Sequence, residues 1–229
     1  QVEALLTEEL RTILPEADFL AEESARDLSP GSLTWVIDPL DGTTNFAHNL
    51  PLVAVSVALW QEERIVMGFV YLPILKELFQ AVRGQGARLN HQPIRVSSQS
   101  DLEQSLVATG FPYSVRERLE EIMPAFGRVL SQSRGLRRLG SAAIDLAYTA
   151  CGRFEGFYEL GLKPWDTAAG WLLVEEAGGK VTGFDPGEAY TLGADSILAT
   201  NGLTHEALAA CIRPAGTEDP VSRNTGGLR

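Results

Sequence analysis

Trp35-Val36-Ile37-Asp38-Pro39-Leu40-Asp41-Gly42-Thr43-Thr44-Asn45 passes from an apolar run to a polar turn within a few residues. Leu33 to Ile37 reads as a β-strand that ends at Asp38-Pro39. Its end delivers two carboxylates three positions apart, with a rigid proline and a backbone carbonyl between them. Carboxylates and carbonyls are hard oxygen donors suited to Mg²⁺, Mn²⁺ or Ca²⁺. Gly42 lets the backbone approach an anion closely, and Thr43 and Thr44 stand where free N–H groups of a following turn would meet a phosphate. The same residues also make an ordinary Asx-type turn between core strands, with both aspartates in solvent. Local features alone leave these two readings open.

Upstream, Val2, Leu5, Leu6, Leu10 and Ile13 recur at helical spacing over residues 1–14, and Pro15 stops that helix. Phe19-Leu20-Ala21 is short and strand-like and leads into Glu22-Glu23. Adjacent side chains of an extended chain point apart, so at most one of these glutamates faces a common site. A solvated acidic loop is the plainer alternative. Asp27 to Ser32 reads as a loop.

Downstream, strands are expected over 52–60, 65–71 and 77–83, with Gly84 and Gly86 turning the chain after the third. A further strand covers 105–109, and a helix with an interior Pro124 covers 116–130. Ala142 to Cys151 is a helix capped by Ser141 and ended by Gly152. Strands follow at 154–160 and 196–200, with helices at 168–177 and 205–212. Helices and strands mix throughout, with hairpin-like antiparallel strands in the first half, which is an α+β pattern. The division falls near Gly135. It gives an N-terminal region, residues 1–135, with the main metal site, a C-terminal region, residues 136–212, completing it, and a Pro/Gly/Thr-rich tail, residues 213–229.

The chain has 229 residues, 45% hydrophobic and 21% charged, with a net charge of −11. It is long enough to bury a substantial core. So acidic a protein has no general attraction for nucleic-acid backbones. No apolar run reaches the length of a spanning helix, and Gln1 to Arg11 lacks the basic start of a signal peptide. Neither a nucleic acid nor a membrane is therefore an expected partner. Cys151 and Cys211 form no disulfide framework and suit a reducing compartment such as the cytoplasm.

His48, His91 and His205 lack metal-ligand spacing, which makes the surface their default place. No Walker A, dinucleotide-binding or nucleophile-elbow pattern is present. Arg134, Arg137 and Arg138 form the one dense basic stretch. It either holds an anion or acidic partner or is a solvated turn. Asp166 either caps the helix after it or adds a carboxylate to a cluster. Glu159 reads as an exposed carboxylate at a strand end.

Several of these blocks together resemble the inositol monophosphatase family, and in particular its bacterial members. Trp35 to Phe46 matches W-x-x-D-P-x-D-G-T-x-N-F in full. Ala21-Glu22-Glu23-Ser24 is similar to G-E-E-S. Trp165-Asp166-x-x-Ala169-Gly170 with Glu175-x-Ala177-Gly178-Gly179 matches the family's C-terminal block. Gly140-Ser141-Ala142-Ala143 and Tyr158-Glu159-Leu160-Gly161 agree as well. Gly84 to Ser97 is similar to a further stretch, with His91 in place of the usual glycine. The likeness extends from residue 1 to about 212.

The resemblance implies a layered α-β-α-β-α sandwich, generally dimeric, of the inositol monophosphatase and fructose-1,6-bisphosphatase type. It implies Mg²⁺-dependent, lithium-sensitive hydrolysis of myo-inositol monophosphate by direct attack of metal-activated water. The metal ligands would be Glu22, Asp38, the Leu40 carbonyl, Asp41 and Asp166, holding two to three Mg²⁺, with Mn²⁺ as a substitute. Glu22, Thr43 and Asp41 would be catalytic. Gly42 and Thr43 would cradle the phosphate, and Ser141, Ala142, Glu159 and Asp166 would meet a small phosphorylated polyol or sugar.

Thr44-Asn45-Phe46 resembles inositol phosphatases rather than nucleotide-phosphate or histidinol-phosphate relatives. A broader sugar-phosphate phosphatase, including fructose-1,6-bisphosphatase activity, is the nearest alternative. A non-catalytic dimer that binds a partner is the more distant one. The family pattern also implies a helix, a strand and an acidic residue upstream of position 1.

Overall fold

The computed structural model describes residues 1–25 and 29–213. Some of the loop expected at 27–32, and the expected tail from residue 214 onward, lie outside the described residues.

The chain opens with α1 (Val2–Ile13), then runs through β1 (Asp18–Ala21), β2 (Leu33–Asp41) and the short α2 (Thr43–Ala47). Next come β3 (Ala54–Gln61), β4 (Arg64–Leu72), β5 (Glu77–Val82), β6 (Ala87–Leu89) and β7 (Gln92–Ile94). These strands pair in chain order into one sheet, with β1 parallel to β2 and the others antiparallel. The second half carries β8 (Leu106–Thr109), α3 (Leu119–Gln132), β9 (Gly135–Arg137), α4 (Ala142–Ala150) and β10 (Gly156–Leu160). It ends with α5 (Pro164–Glu176), β11 (Lys180–Thr182), β12 (Ser196–Thr200) and α6 (His205–Ile212). Its strands form a second sheet in the order β11-β12-β10-β8-β9.

The period of two along β2 builds the layers. Trp35 and Ile37 pack with Val57 and Leu59 on one face, where Leu6 and Leu10 of α1 cover them. Val36 points the other way, into a core shared with Phe79, Ile144, Leu172 and Ile197. That core holds α4 and α5 between the two sheets. The outer face of the second sheet, through Val107, Tyr158 and Leu198, is covered by Val129 of α3 and Leu208 of α6. The result is the expected α-β-α-β-α sandwich.

The central helices pack closely because a glycine of one faces a leucine of the other. A Cβ on Gly170 of α5 would fall 2.5 Å from Cβ of Leu146 in α4. No helix among the described residues is long and apolar enough to cross a membrane.

The division read near Gly135 does not coincide with the change of sheet. β8 and β9 pair in parallel within the second sheet, so the chain changes sheet in residues 95–105, between β7 and β8. Gly135 begins an edge strand, whose three residues are too few to show a period in sequence.

His205 departs from its expected surface position. His48 and His91 are exposed, but His205 is 1% exposed, with ring nitrogens 3.0 Å from Thr182 Oγ1 and 2.9 Å from Thr200 Oγ1. Burial, then the charge of Lys180, lowers its pKa to about 4, against a smaller upward pull from Glu206. The folded state thus holds this proton less tightly than the unfolded chain. The stability it contributes is full above the ordinary value of 6.5 and is lost as pH falls through about 4. Relative to His205→Gln, which keeps a donor and an acceptor, the native protein should lose up to about 3 kcal/mol between pH 7 and pH 4. Urea unfolding of the two proteins at both pH values measures that difference, and parallel pH dependences would contradict it.

Candidate active site

The end of β2 is shaped by Pro39. Proline has no N–H to give a neighbouring strand. The β2–β3 register accordingly shifts between Asp38 and Asp41, and the strand continues to Asp41 instead of ending at Asp38-Pro39. Asp38 Oδ1 accepts the Leu40 N–H at 2.9 Å, which fixes the irregularity from inside. Gly42 then takes φ 89° to start α2. A side chain there would be strained by that φ and would put Cβ 2.8 Å from the Leu52 carbonyl oxygen. Thr43, exposed, donates its hydroxyl to the Leu40 carbonyl at 3.2 Å. Asn45 is buried and donates to the carbonyls of Leu52 and Leu139, both at 2.8 Å, tying the turn to the segment that leads into α4.

Asp41 joins the two halves of the chain. One carboxylate oxygen accepts the Ser141 hydroxyl at 2.6 Å and the Ala143 N–H at 2.7 Å. Ser141 also accepts the Ile144 N–H at 3.3 Å as N-cap of α4, so its hydroxyl is used twice. Ala142, named with Ser141 as a substrate position, is buried, and it is the next residue's amide that reaches Asp41.

Glu22 and Glu23 leave β1 in a turn, not in an extended strand. Glu22 is half-buried, and its N–H is held by the Ile37 carbonyl at 3.1 Å. Glu23 is exposed, and its N–H is taken by the Glu3 carboxylate at 3.0 Å. Of the pair, Glu22 acts on the carboxyls of Asp38 and Asp166, and the turn rather than strand alternation separates it from Glu23.

Asp166 lies in the first turn of α5, which begins at Pro164 and not at Ala168. Proline suits a first helical position because its missing N–H has no partner there anyway. Asp166 Oδ2 accepts the Lys163 N–H at 2.7 Å, and Ser56 of β3 donates to the Trp165 carbonyl at 3.3 Å. The same aspartate thus closes the helix start and faces the cluster. Glu159, expected at an exposed strand end, is 8% exposed between β8 and β12.

Electrostatics shows these side chains to be one group. Burial, then the charges of Asp41, Glu22 and Asp166, pushes the Asp38 pKa well up, against the Leu40 N–H bond. Burial also raises Asp41. The Ser141 and Ala143 hydrogen bonds hold it down, while Glu22 pushes it further up. Asp166 is raised to about 7, first by burial and then by Asp41 and Glu22, despite the Lys163 N–H. Glu159 rises to about 8 through burial, Asp166 and Asp41, with Arg138 opposing. Carboxylates that repel one another out of water are stabilised by cations. Among the described residues, however, no three acidic, histidine or cysteine side chains converge tightly enough to grip one ion as they stand.

Sequence reasoning missed Asp145. It is 1% exposed within α4, with Oδ1 unpartnered. Burial, then Glu159 and Asp41, raises its pKa, opposed by Arg138. Its one signal was a charged residue in a helix otherwise rich in Ala and Leu. The basic stretch divides: Arg138 acts on Glu159 and Asp145, whereas Arg134 and Arg137 line a cavity of about 720 Å³ with Arg153, Ser97 and Glu155, and none of the expected site residues lines it.

Comparison with known proteins gives the following. The inositol monophosphatase family model matches residues 1–217. An inositol-1-monophosphatase of Synechocystis sp. is 43% identical over 93% of this chain and 74% of its own length. The Nus factor SuhB of Escherichia coli is 43% identical over 92% of this chain and 79% of its own. The structure of the inositol monophosphatase of Anabaena (Nostoc) sp. superposes with a TM-score of 0.86 at 42% identity, covering 92% of this chain and 83% of that one.

Proposed function

The chain belongs to the inositol monophosphatase family, and from that premise we propose that it hydrolyses myo-inositol monophosphate to inositol and inorganic phosphate, as a Mg²⁺-dependent phosphatase. The observation that carries this reading is the gathering of Glu22, Asp38, Asp41 and Asp166 from separate segments into one mutually repelling group beside an exposed hydroxyl.

The donor set fits a hard divalent cation. It offers carboxylate oxygens and the Leu40 carbonyl, with no sulfur and no imidazole. Glu22, Asp38, Leu40, Asp41 and Asp166 would hold Mg²⁺, two to three ions in all, with Mn²⁺ as a substitute. Bound there, such a cation supplies Lewis-acid polarisation of the phosphate ester and cancels the repulsion that the carboxylates would otherwise exert on it.

The protein's own groups do the positioning. The amides at the start of α2 have no acceptor within that helix and suit phosphate oxygens. Thr43 gives its proton to the Leu40 carbonyl, which leaves its hydroxyl oxygen as an acceptor on the open face. There it can orient a water for attack on phosphorus. Ser141, buried and with its hydroxyl spent on Asp41 and Ile144, is a clasp between the halves of the site. Direct attack by water therefore needs no phosphorylated side chain. Glu159 at the floor of the site would accept hydrogen bonds from the leaving polyol, which favours hydroxylated esters.

Inorganic phosphate release from myo-inositol 1-phosphate should require Mg²⁺ and stop with EDTA. Acid quenching during turnover should trap no phosphorylated protein. Turnover that persists in EDTA, or a trapped phosphoryl group, would overturn the reading.

A further inference from the structure

The loop that joins β8 to α3, residues 110–118, is fixed at both ends and carries an unused aromatic ring at its tip. At its start, Gly110 lies against the Glu159 carboxylate so closely that no Cβ fits. Pro112 packs on Gly161, where an added Cβ would sit 2.9 Å from the Pro112 ring. Both contacts are with the strand end that carries Glu159 toward Asp166. At the other end, Arg118 donates to both oxygens of Asp195, at 3.0 and 2.7 Å, and to both oxygens of Glu121, at 3.0 and 2.8 Å. Between these anchors the backbone turns on itself, with Val115 N–H bonded to the Pro112 carbonyl and Glu117 N–H to the Ser114 carbonyl, both at 2.9 Å. Phe111 is held by Phe126, with centroids 6.0 Å apart, and by Arg138 over its ring at 5.8 Å.

The ring of Tyr113 is left free. Its side chain makes no hydrogen bond or ring contact among the described residues, and it is 96% exposed. Tyr113 nevertheless follows directly on Pro112, which the loop's contacts hold against the strand end that carries Glu159. Surrounding protein atoms, then the charges of Glu22, Asp166, Asp41 and Asp38 together, raise the pKa of its hydroxyl. A rigid loop therefore holds a large amphipathic ring beside a site whose own walls are carboxylates and hydroxyls. Such walls bind the phosphate and hydroxyl groups of a ligand but offer nothing to its C–H faces. Aromatic faces do, because their negative quadrupole attracts polarised C–H groups and they bring apolar area at small entropic cost.

We propose that Tyr113 is a specificity-determining residue, its ring packing on the C–H face of a cyclic polyol leaving group and so favouring ring-shaped over open-chain phosphomonoesters. The inference rests on the phosphatase reading of the site. It is tested with kcat/KM for myo-inositol 1-phosphate and for glycerol 2-phosphate, in Mg²⁺, for the native protein, Tyr113→Phe and Tyr113→Ala. Tyr113→Ala should lower the ratio of cyclic to open-chain kcat/KM about tenfold, mostly through KM of the cyclic ester. Tyr113→Phe should keep the native ratio. An unchanged ratio in Tyr113→Ala overturns the proposal, and so does a Phe variant that falls as far as the Ala variant.

Should the native protein hydrolyse neither ester, calorimetric Kd values for the same two compounds separate the readings. Binding without turnover sinks the phosphatase reading and leaves the Tyr113→Ala change in the Kd ratio to support or overturn the role of the ring. No binding of either ester overturns both.

Discussion

Asp41→Asn should lower kcat/KM for myo-inositol 1-phosphate by about a thousandfold, comparable to the loss of a preorganised electrostatic group in other sites, without unfolding the protein. The local geometry separates the two effects. In the native protein one oxygen of Asp41 takes both the Ser141 hydroxyl and the Ala143 N–H. The amide oxygen of asparagine can take the same two donors, so the clasp between β2 and the start of α4 survives. What disappears is a negative charge that pushes up Asp166 and Glu159. With EDTA at pH 8, the variant should therefore unfold at the same temperature as the native protein or above it. A large drop in that temperature would mean that the aspartate's main work is structural. Activity within tenfold of native would remove Asp41 from the catalytic set.

This separation also shows where reading a sequence succeeds. α1 and α6 were legible from apolar residues at helical spacing, and the β3–β4–β5 hairpins from apolar runs broken by short polar turns. Asp38 and Asp41 were legible because they flank a proline at a strand end. The boundaries of the site were not. α5 was read from Ala168 because Lys163-Pro164-Trp165-Asp166 has no helical period, yet the proline starts the helix and puts Asp166 in its first turn. Glu159 and His205 were placed in solvent because their burial depends on residues far away in the chain. Thr109-Gly110 covers the first, and Thr182 with Thr200 covers the second. Tyr113 and Asp145 were silent for opposite reasons. A tyrosine in a turn and an aspartate in a helix are both ordinary, and only the packing makes one bare and the other buried.

Divalent cations should stabilise the protein by an amount that grows with pH. Asp38, Asp41, Asp166 and Glu159 all have pKa values above those of free carboxylic acids, with Asp166 near 7 and Glu159 near 8. A carboxyl group raised on folding favours the folded state most at low pH, below its unfolded pKa of about 4. That contribution is lost as pH rises through the folded pKa, because the ionised form is buried beside like charges. Without cations these four groups therefore act against stability progressively between pH 4 and about 9. Mg²⁺ competes with protons for the same oxygens, so it gains nothing from protonated carboxyls and most from ionised ones. The shift in Tm between Mg²⁺ and EDTA should be near zero at pH 5. At pH 8.5 and about a hundredfold excess of Mg²⁺ over its Kd, it should reach about 5–10 °C for a chain of this size. Taking the difference at each pH cancels the opposite dependence that His205 imposes below pH 6.5, since no carboxylate of the cluster is among the charges that shift His205. Asp41→Asn should shrink the shift at pH 8.5 and leave pH 5 unaffected. An equal shift at both pH values would mean that the ion binds somewhere other than these carboxylates. A missing shift would mean that their mutual repulsion is relieved by protons alone, which would remove the physical basis for metal-assisted hydrolysis at this site.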